Sequence, residues 1–180
     1  MNFMVDIETL STKPSGVIAS VGACAFSPKG INEKTFYMTL DLQEQIDKGR
    51  TIDAGTIAFW MRQGDEARSA LLGTHSVTSE LFLKEFKAWV ESFCHIGDAI
   101  FWSNGAAFDI PFLEDYAKDF KGRVPWNYVN ARCFRTYAAM TKCADLMTEE
   151  DNEGTHHNAV DDAIWQARAM VKYMNKKGKK

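Results

Sequence analysis

Two carboxylates near the N-terminus offer the first chemistry in this chain. Asp6 and Glu8 are two residues apart, and on an extended strand that spacing sends both side chains from one face, opposite Val5 and Ile7. Acids held this close repel each other unless a cation sits between them. On a water-facing edge strand the pair needs no function; on a central, covered strand it is costly and marks a site. Asp109 closes the run Trp102-Ser103-Asn104-Gly105-Ala106-Ala107-Phe108-Asp109, just past an apolar strand and at the opening of a helix. There it either complements the helix dipole or joins the other acids. A third group, Thr155-His156-His157-Asn158-Ala159-Val160-Asp161-Asp162, stands at the start of the last helix. The two histidines have neither a cysteine nor a suitably spaced third histidine beside them, so a structural zinc site fails on ligand count.

Strands and helices must bring these three groups together. Phe3, Val5 and Ile7 alternate with Asn2, Met4, Asp6 and Glu8, a period of two that predicts a strand from the N-terminus. Turn residues at 14–16 and 28–30 separate it from apolar runs at Val17 to Phe26 and Thr35 to Leu40, an expected three-stranded antiparallel meander. Beyond it, Ile57, Trp60 and Met61, then Leu81, Phe82, Phe86, Trp89, Val90 and Phe93, recur at helical spacing, with Thr78 or Ser79 as a cap. A strand over Ala99 to Trp102 leads to a helix through Phe112, Leu113, Tyr116 and Phe120; a short strand near Tyr128 to Phe134 leads to a helix from Thr136 to about Leu146. The last helix is predicted from about Asn158 to Met174. Strands first, then strands alternating with helices, imply an α/β domain on a mixed sheet.

The 180 residues are 46% hydrophobic and 25% charged, an ordinary globular composition that suits one domain over 1–175. No apolar run approaches the ~20 residues of a membrane span and no signal peptide is visible, so the expected location is cytoplasmic. Cys24, Cys94, Cys133 and Cys143 form no Cys-x-x-Cys pair and read as reduced. The net charge of −3 argues at first against a polyanionic partner. Five lysines lie from Lys172 onward, and without them the rest carries −8. Residues 176–180 read as a basic C-terminal tail, either solvated or collecting a polyanion.

The three groups together resemble the DEDDh 3′–5′ exonucleases of the ribonuclease H-like superfamily, those with a histidine at the fifth position. The matching residues are Asp6, Glu8, Asp109, His157 and Asp162, on Asp6-Ile7-Glu8-Thr9, Asn104 to Asp109, and His157-Asn158-Ala159-Val160-Asp161-Asp162-Ala163. The five-residue step from histidine to aspartate selects His157 and Asp162 over their neighbours. Within the family, Thr56 to Gln63 and Arg132-Cys133-Phe134-Arg135-Thr136 look like the exonuclease VIII and phage exonuclease branch, which includes a mycobacterial exoribonuclease; Cys133 replaces that branch's usual aspartate.

The resemblance implies a ribonuclease H-like fold and two divalent cations, Mg²⁺ or Mn²⁺, held by Asp6, Glu8, Asp109 and Asp162, all hard oxygen ligands. Two such ions about 3.5–4 Å apart activate a water and neutralise the leaving 3′-oxygen. Glu8 would also hold the terminal 3′-hydroxyl and His157 would be the general base. The implied substrate is single-stranded DNA or RNA with a free 3′ end, cut to nucleoside 5′-monophosphates; relatives in the branch imply a homodimer and a phage setting. Thr9, Leu10 and Phe108 would flank the terminal nucleotide. Trp60 either stacks on a base or belongs to the core. Asn104 either donates to a phosphate or forms a turn, and Arg132 and Arg135 either neutralise phosphate or make salt bridges. The competing reading is a catalytically silent nucleic-acid-binding module, which has no need of four clustered acids. Two bound divalent ions would move the formal charge from −3 to +1, turning the acidity into an expectation of metal-dependent binding.

Overall fold

The computed structural model describes every residue except 74, 152–153 and 179–180. Its strands are β1 (Asn2–Thr9), β2 (Ile18–Ser27), β3 (Gly30–Ile31), β4 (Phe36–Leu40), β5 (Ser76–Val77), β6 (Ile100–Ser103) and β7 (Ala131–Cys133). Its helices are α1 (Leu42–Asp47), α2 (Ala54–Met61), α3 (Asp65–Leu72), α4 (Ser79–Glu91), α5 (Asp109–Asp119), α6 (Phe134–Thr141) and α7 (Ala159–Lys177). The sheet runs β5-β4-β2-β1-β6-β7, with β3 paired to β2. β1, β2 and β4 form the expected antiparallel meander, while β6 pairs parallel with β1 and β7 parallel with β6. This mixed sheet flanked by helices is a ribonuclease H-like fold.

β1 is therefore an inner strand, the placement in which its acids are informative. The alternation read from the sequence divides the core in two. Phe3, Val5 and Ile7 pack with Phe82 and Phe86 of α4 and with Phe112, Leu113 and Tyr116 of α5. On the opposite face Met4 and Cys24 pack with Ala163, Ala167 and Met170 of α7 and with Phe134 of α6. A third cluster gathers Leu10, Val17 and Ala19 under Trp60 of α2 and Leu71 of α3. Burial of these apolar surfaces contributes roughly 25 cal/mol per Å² and holds the helices to the sheet.

One contact sets how closely α7 approaches. A Cβ added to Gly22 of β2 would lie 2.1 Å from the Val160 nitrogen, so the first turn of α7 rests directly on strand backbone. Asn158 caps that turn, its side chain accepting from the Val160 N–H at 3.1 Å. Thr78 caps α4 as expected.

Three features depart from the sequence reading. α1, α3 and β5 are additional elements. Gln45 of the six-residue α1 is fully buried, donating to the Ile18 carbonyl and accepting from its N–H, both at 2.8 Å. The helix expected from Thr136 to Leu146 stops at Thr141: Lys142 is left-handed (φ 58°), and the chain continues as a 3₁₀ turn, Cys143–Leu146, with Cys143 buried against α7. α7 also runs past Met174, so Lys176 and Lys177 form its last turn instead of a tail, where they complement the helix dipole. Lys179 and Lys180 lie outside the described residues. No described helix is long and apolar enough to cross a membrane.

Candidate active site

Asp6 and Glu8 project from β1 on the α7 side of the sheet, beyond Met4, where the apolar packing gives way to a cleft. Asp6 is directly opposite Gly22 in the β1–β2 register, so the close seat of α7 at that glycine brings Asp162, in the helix's first turn, over the strand. Asp6, Glu8 and Asp162 each place a carboxylate oxygen within 4.8 Å of the others. Asp109 starts α5 just after β6, the parallel neighbour of β1, and is 3% exposed. Its charge acts on both Asp6 and Glu8. Asp161 points away, accepting from the Thr155 N–H at 2.8 Å.

Crowding and burial make this cluster a store of protons in the absence of cations. Burial first, then the charges of Asp109, Glu8 and Asp162, hold the Asp6 carboxyl well above the usual carboxylate range. Burial and the charges of Asp162 and Asp109 push Glu8 up to about 9. Asp109 is raised by burial to about 7, with backbone hydrogen bonds opposing the rise, and burial also raises Asp162. Among the described residues no lysine or arginine forms an ion pair with any of the four. Arg135 lowers Asp109 only as a lesser influence, and His156 neighbours Asp162. Crowded, largely buried carboxylates with no lysine or arginine ion pair fit divalent cations, whose charge would replace the protons.

Gln166 is the cluster's neutral support. It lies one turn after Asp162 on α7, is 4% exposed, and its Nε2 donates to Asp6 Oδ1 at 3.1 Å. Its own Oε1 is buried without a hydrogen-bond partner among the described residues. The i, i+4 step from Asp162 is the sequence signal that could have found it.

His157 has a left-handed backbone (φ 65°), and its ring stands edge-on to Phe59 at 5.3 Å and Trp60 at 5.9 Å. Burial, followed by the neighbouring His156 charge, lowers its pKa below 6.5. The His156 ring stacks on it at 4.7 Å, and His156 Nδ1 lies 3.4 Å from Asp162 Oδ1. The five-residue spacing passes over His156; the fold places it beside both residues.

Two clefts meet at the acids. One, of 510 Å³, is lined by Glu8, Thr9, Phe59, Trp60, Phe108 and His157 among others. The other, of 570 Å³, is lined by Asp6, Asn104, Met147, Asp162, Trp165 and Gln166 among others. Thr9, Phe108 and Asn104 thus border the clefts. Trp60 is 5% exposed and donates its indole N–H to the Thr9 carbonyl at 2.9 Å, so it is a core residue forming a cleft floor. The accessible aromatic is Phe59. Arg135 stands at the rim, donating to the Asn104 carbonyl at 3.1 Å.

Two expected contacts are not brought to the clefts. The Leu10 side chain turns into the third apolar cluster, and its backbone is engaged by Val17 and Asp53. The Arg132 guanidinium folds back onto the Val129 and Ala131 carbonyls at 2.6 and 2.9 Å.

An antiparallel meander continued by parallel strands, with these acids on the first strand, after a later strand and on the last helix, defines a DEDDh 3′–5′ exonuclease. The sequence matches the family of Rv2179c-like 3′–5′ exoribonuclease domains over residues 1–174, and the chain belongs to that family. It is accordingly a hydrolase acting on phosphodiester bonds, in a class that depends on divalent metal. No curated protein sequence matches the chain. Among solved structures, the nuclease domain of 3′hExo, a DEDDh member bound to rAMP, superimposes with a TM-score of 0.63 at 14% identity, covering 97% of this chain and 92% of that one. Exonuclease X in complex with 5′-overhanging duplex DNA gives 0.63 at 15%, covering 99% and 93%. Cell-death related nuclease 4 gives 0.64 at 15%, covering 97% and 64%. At these identities the likeness speaks to the fold.

Proposed function

We propose that this chain removes nucleoside 5′-monophosphates from the free 3′ end of single-stranded nucleic acid, with two Mg²⁺ or Mn²⁺ ions held by Asp6, Glu8, Asp109 and Asp162. RNA is the favoured substrate, following the activity named for the family. The observation that carries the proposal is the meeting of Asp6, Glu8 and Asp162, none in an ion pair with a lysine or arginine among the described residues, between a cleft that His157 lines and a second cleft lined by Asp6 and Asp162. Bound divalent ions would supply an activated water and charge neutralisation at the leaving 3′-oxygen.

The protein's own groups do the rest. His157, kept neutral at physiological pH by its lowered pKa, accepts the proton of the attacking water, with Phe59 and Trp60 fixing its ring. Glu8 borders the 510 Å³ cleft, where it meets the terminal 3′-hydroxyl, while Thr9 and Phe108 wall the terminal nucleotide. Phe59 offers a ring to the base. Gln166 holds Asp6 in place. Asn104, at the other cleft, faces the strand before the cut, with Arg135 donating to its carbonyl.

Thermal melting tests the ligand assignment. Mg²⁺ or Mn²⁺ is expected to raise the Tm of the wild type, by about 2.7 kcal/mol of stabilisation at a hundredfold excess over Kd. Asp6→Asn should lose most of that shift while keeping a native circular dichroism spectrum; an undiminished shift contradicts the assignment.

A further inference from the structure

A separate cleft, of 490 Å³, lies near the C-terminal end of α7. Lys142 enters it from the end of α6, Asp145 and Leu146 from the following 3₁₀ turn, and Tyr173, Lys176 and Lys177 from α7. Three lysines thus converge on one hollow of a protein with a net charge of −3. Among the described residues none of the three makes an ion pair, with Asp145 or with any other acid. Lys177 lies 5.2 Å from the centre of the Tyr173 ring, and Tyr137 braces that ring edge-on at 5.9 Å. Dipole complementation accounts for Lys176 and Lys177. It does not account for a lysine at the left-handed position 142, where glycine or asparagine is the ordinary occupant.

The basic cleft and the cleft at the acids lie along one side of the same helix. Asp162 and Tyr173 are eleven residues apart, as are Trp165 and Lys176. Eleven residues make three helical turns within about 20°, and span about 16 Å. The facing wall is also continuous in sequence: Met147 and Thr148 border the acid cleft, Asp145 and Leu146 the basic one.

We infer that the lysine cleft is an anchoring site for the phosphate backbone of the substrate strand, a few nucleotides before the cut, so that single-stranded nucleic acid lies along α7 from the acids to Lys142, Lys176 and Lys177. This inference rests on the exonuclease reading of the acids. The lysines attract the strand by charge, and Tyr173 lines the same cleft beside Lys177. The site would make binding length-dependent, because a strand too short to reach the lysines gains nothing from them.

Fluorescence anisotropy in EDTA, with labelled oligouridylates of increasing length, tests this without turnover. The Lys142→Gln/Lys176→Gln/Lys177→Gln variant should bind long strands about tenfold more weakly than wild type and short ones equally well. Its slope of log affinity against log salt should be shallower by about 2, the change expected when three phosphates are no longer neutralised. Both proteins should hydrolyse the p-nitrophenyl ester of thymidine 5′-monophosphate at the same rate, a substrate too small to reach the lysines. If replacing left-handed Lys142 disturbs the fold, Lys176→Gln/Lys177→Gln gives the same comparison. Equal affinities and slopes across all lengths would overturn the inference. So would a variant that loses only inorganic phosphate binding, which would mark a free-phosphate site. Failure of the wild type to cleave the ester or any oligonucleotide would count against the acid site alone, since the anisotropy arms still decide the lysines.

Discussion

Gln166 shows how a neutral side chain can govern a charged site. Its amide donates to one Asp6 oxygen, which leaves that carboxylate oriented without a positive charge competing with a cation. Gln166→Leu keeps the side chain's bulk but removes the donor. It is expected to raise the divalent ion concentration for half-maximal activity by about tenfold, equivalent to the ~1.4 kcal/mol of one hydrogen bond to a charged group, with little change in KM for oligonucleotide. Activity titrated with Mg²⁺ measures this; an unchanged midpoint contradicts it. Which residues the sequence discloses follows from chemistry. Asp6, Glu8, Asp109, His157 and Asp162 are legible because charged types at fixed spacing carry meaning by themselves. Phe59 is not, because only the rotation of α2 decides that it faces the cleft while Trp60 is buried. Leu10 misses the cleft for a related reason: adjacency to an acid along the chain does not say which way the next side chain turns.

At the scale of elements, the site is made by α7 resting on β2. The glycine that permits this, Gly22, cannot be recognised from the sequence, since its meaning lies in the register that sets it opposite Asp6. Gly22→Ala places a Cβ against the backbone of α7 and is expected to cost about 3 kcal/mol through overpacking, roughly 6–12 °C in Tm. It should also weaken metal binding, because Asp162 moves with the helix. A thermal melt with and without Mn²⁺ reads both, and a variant as stable and metal-responsive as wild type would show that α7 does not set the geometry. Long elements with strong periodicity, β1, β2, α4 and α7, are visible in the sequence. α1 spans only six residues and β5 only two, too few for a period to emerge, and α3 buries only Ala67 and Leu71, a weak apolar stripe. The break at Lys142 carries no signal, because lysine is an ordinary helix former.

Across the molecule, the acids couple stability to pH and to metal. Glu8, at about 9, and Asp109, at about 7, have folded-state pKa values above their unfolded ones. Between those values the folded form binds more protons than the unfolded chain, so this contribution is fully present below about pH 4 and is lost as pH rises through about 7 and 9. Metal-free protein is therefore expected to lose Tm steadily from pH 5 to 9, and saturating Mg²⁺ should remove most of that decline. A metal-free Tm that rises over this range would contradict the protonated cluster. The same balance revises the meaning of the net charge of −3: acidity concentrated in a cation site and basic residues gathered along α7 are compatible with a polyanionic substrate, although the overall sign suggests otherwise.

If these acids form a metal-dependent site acting from the 3′ end, the direction of shortening and its need for metal must appear together. Single-stranded RNA labelled at its 5′ end, incubated with Mn²⁺ and resolved by length, tests both most directly. A ladder of progressively shorter labelled strands is expected, absent with EDTA and in Asp162→Ala. Release of the label first as a mononucleotide, or degradation by Asp162→Ala in EDTA, would contradict it.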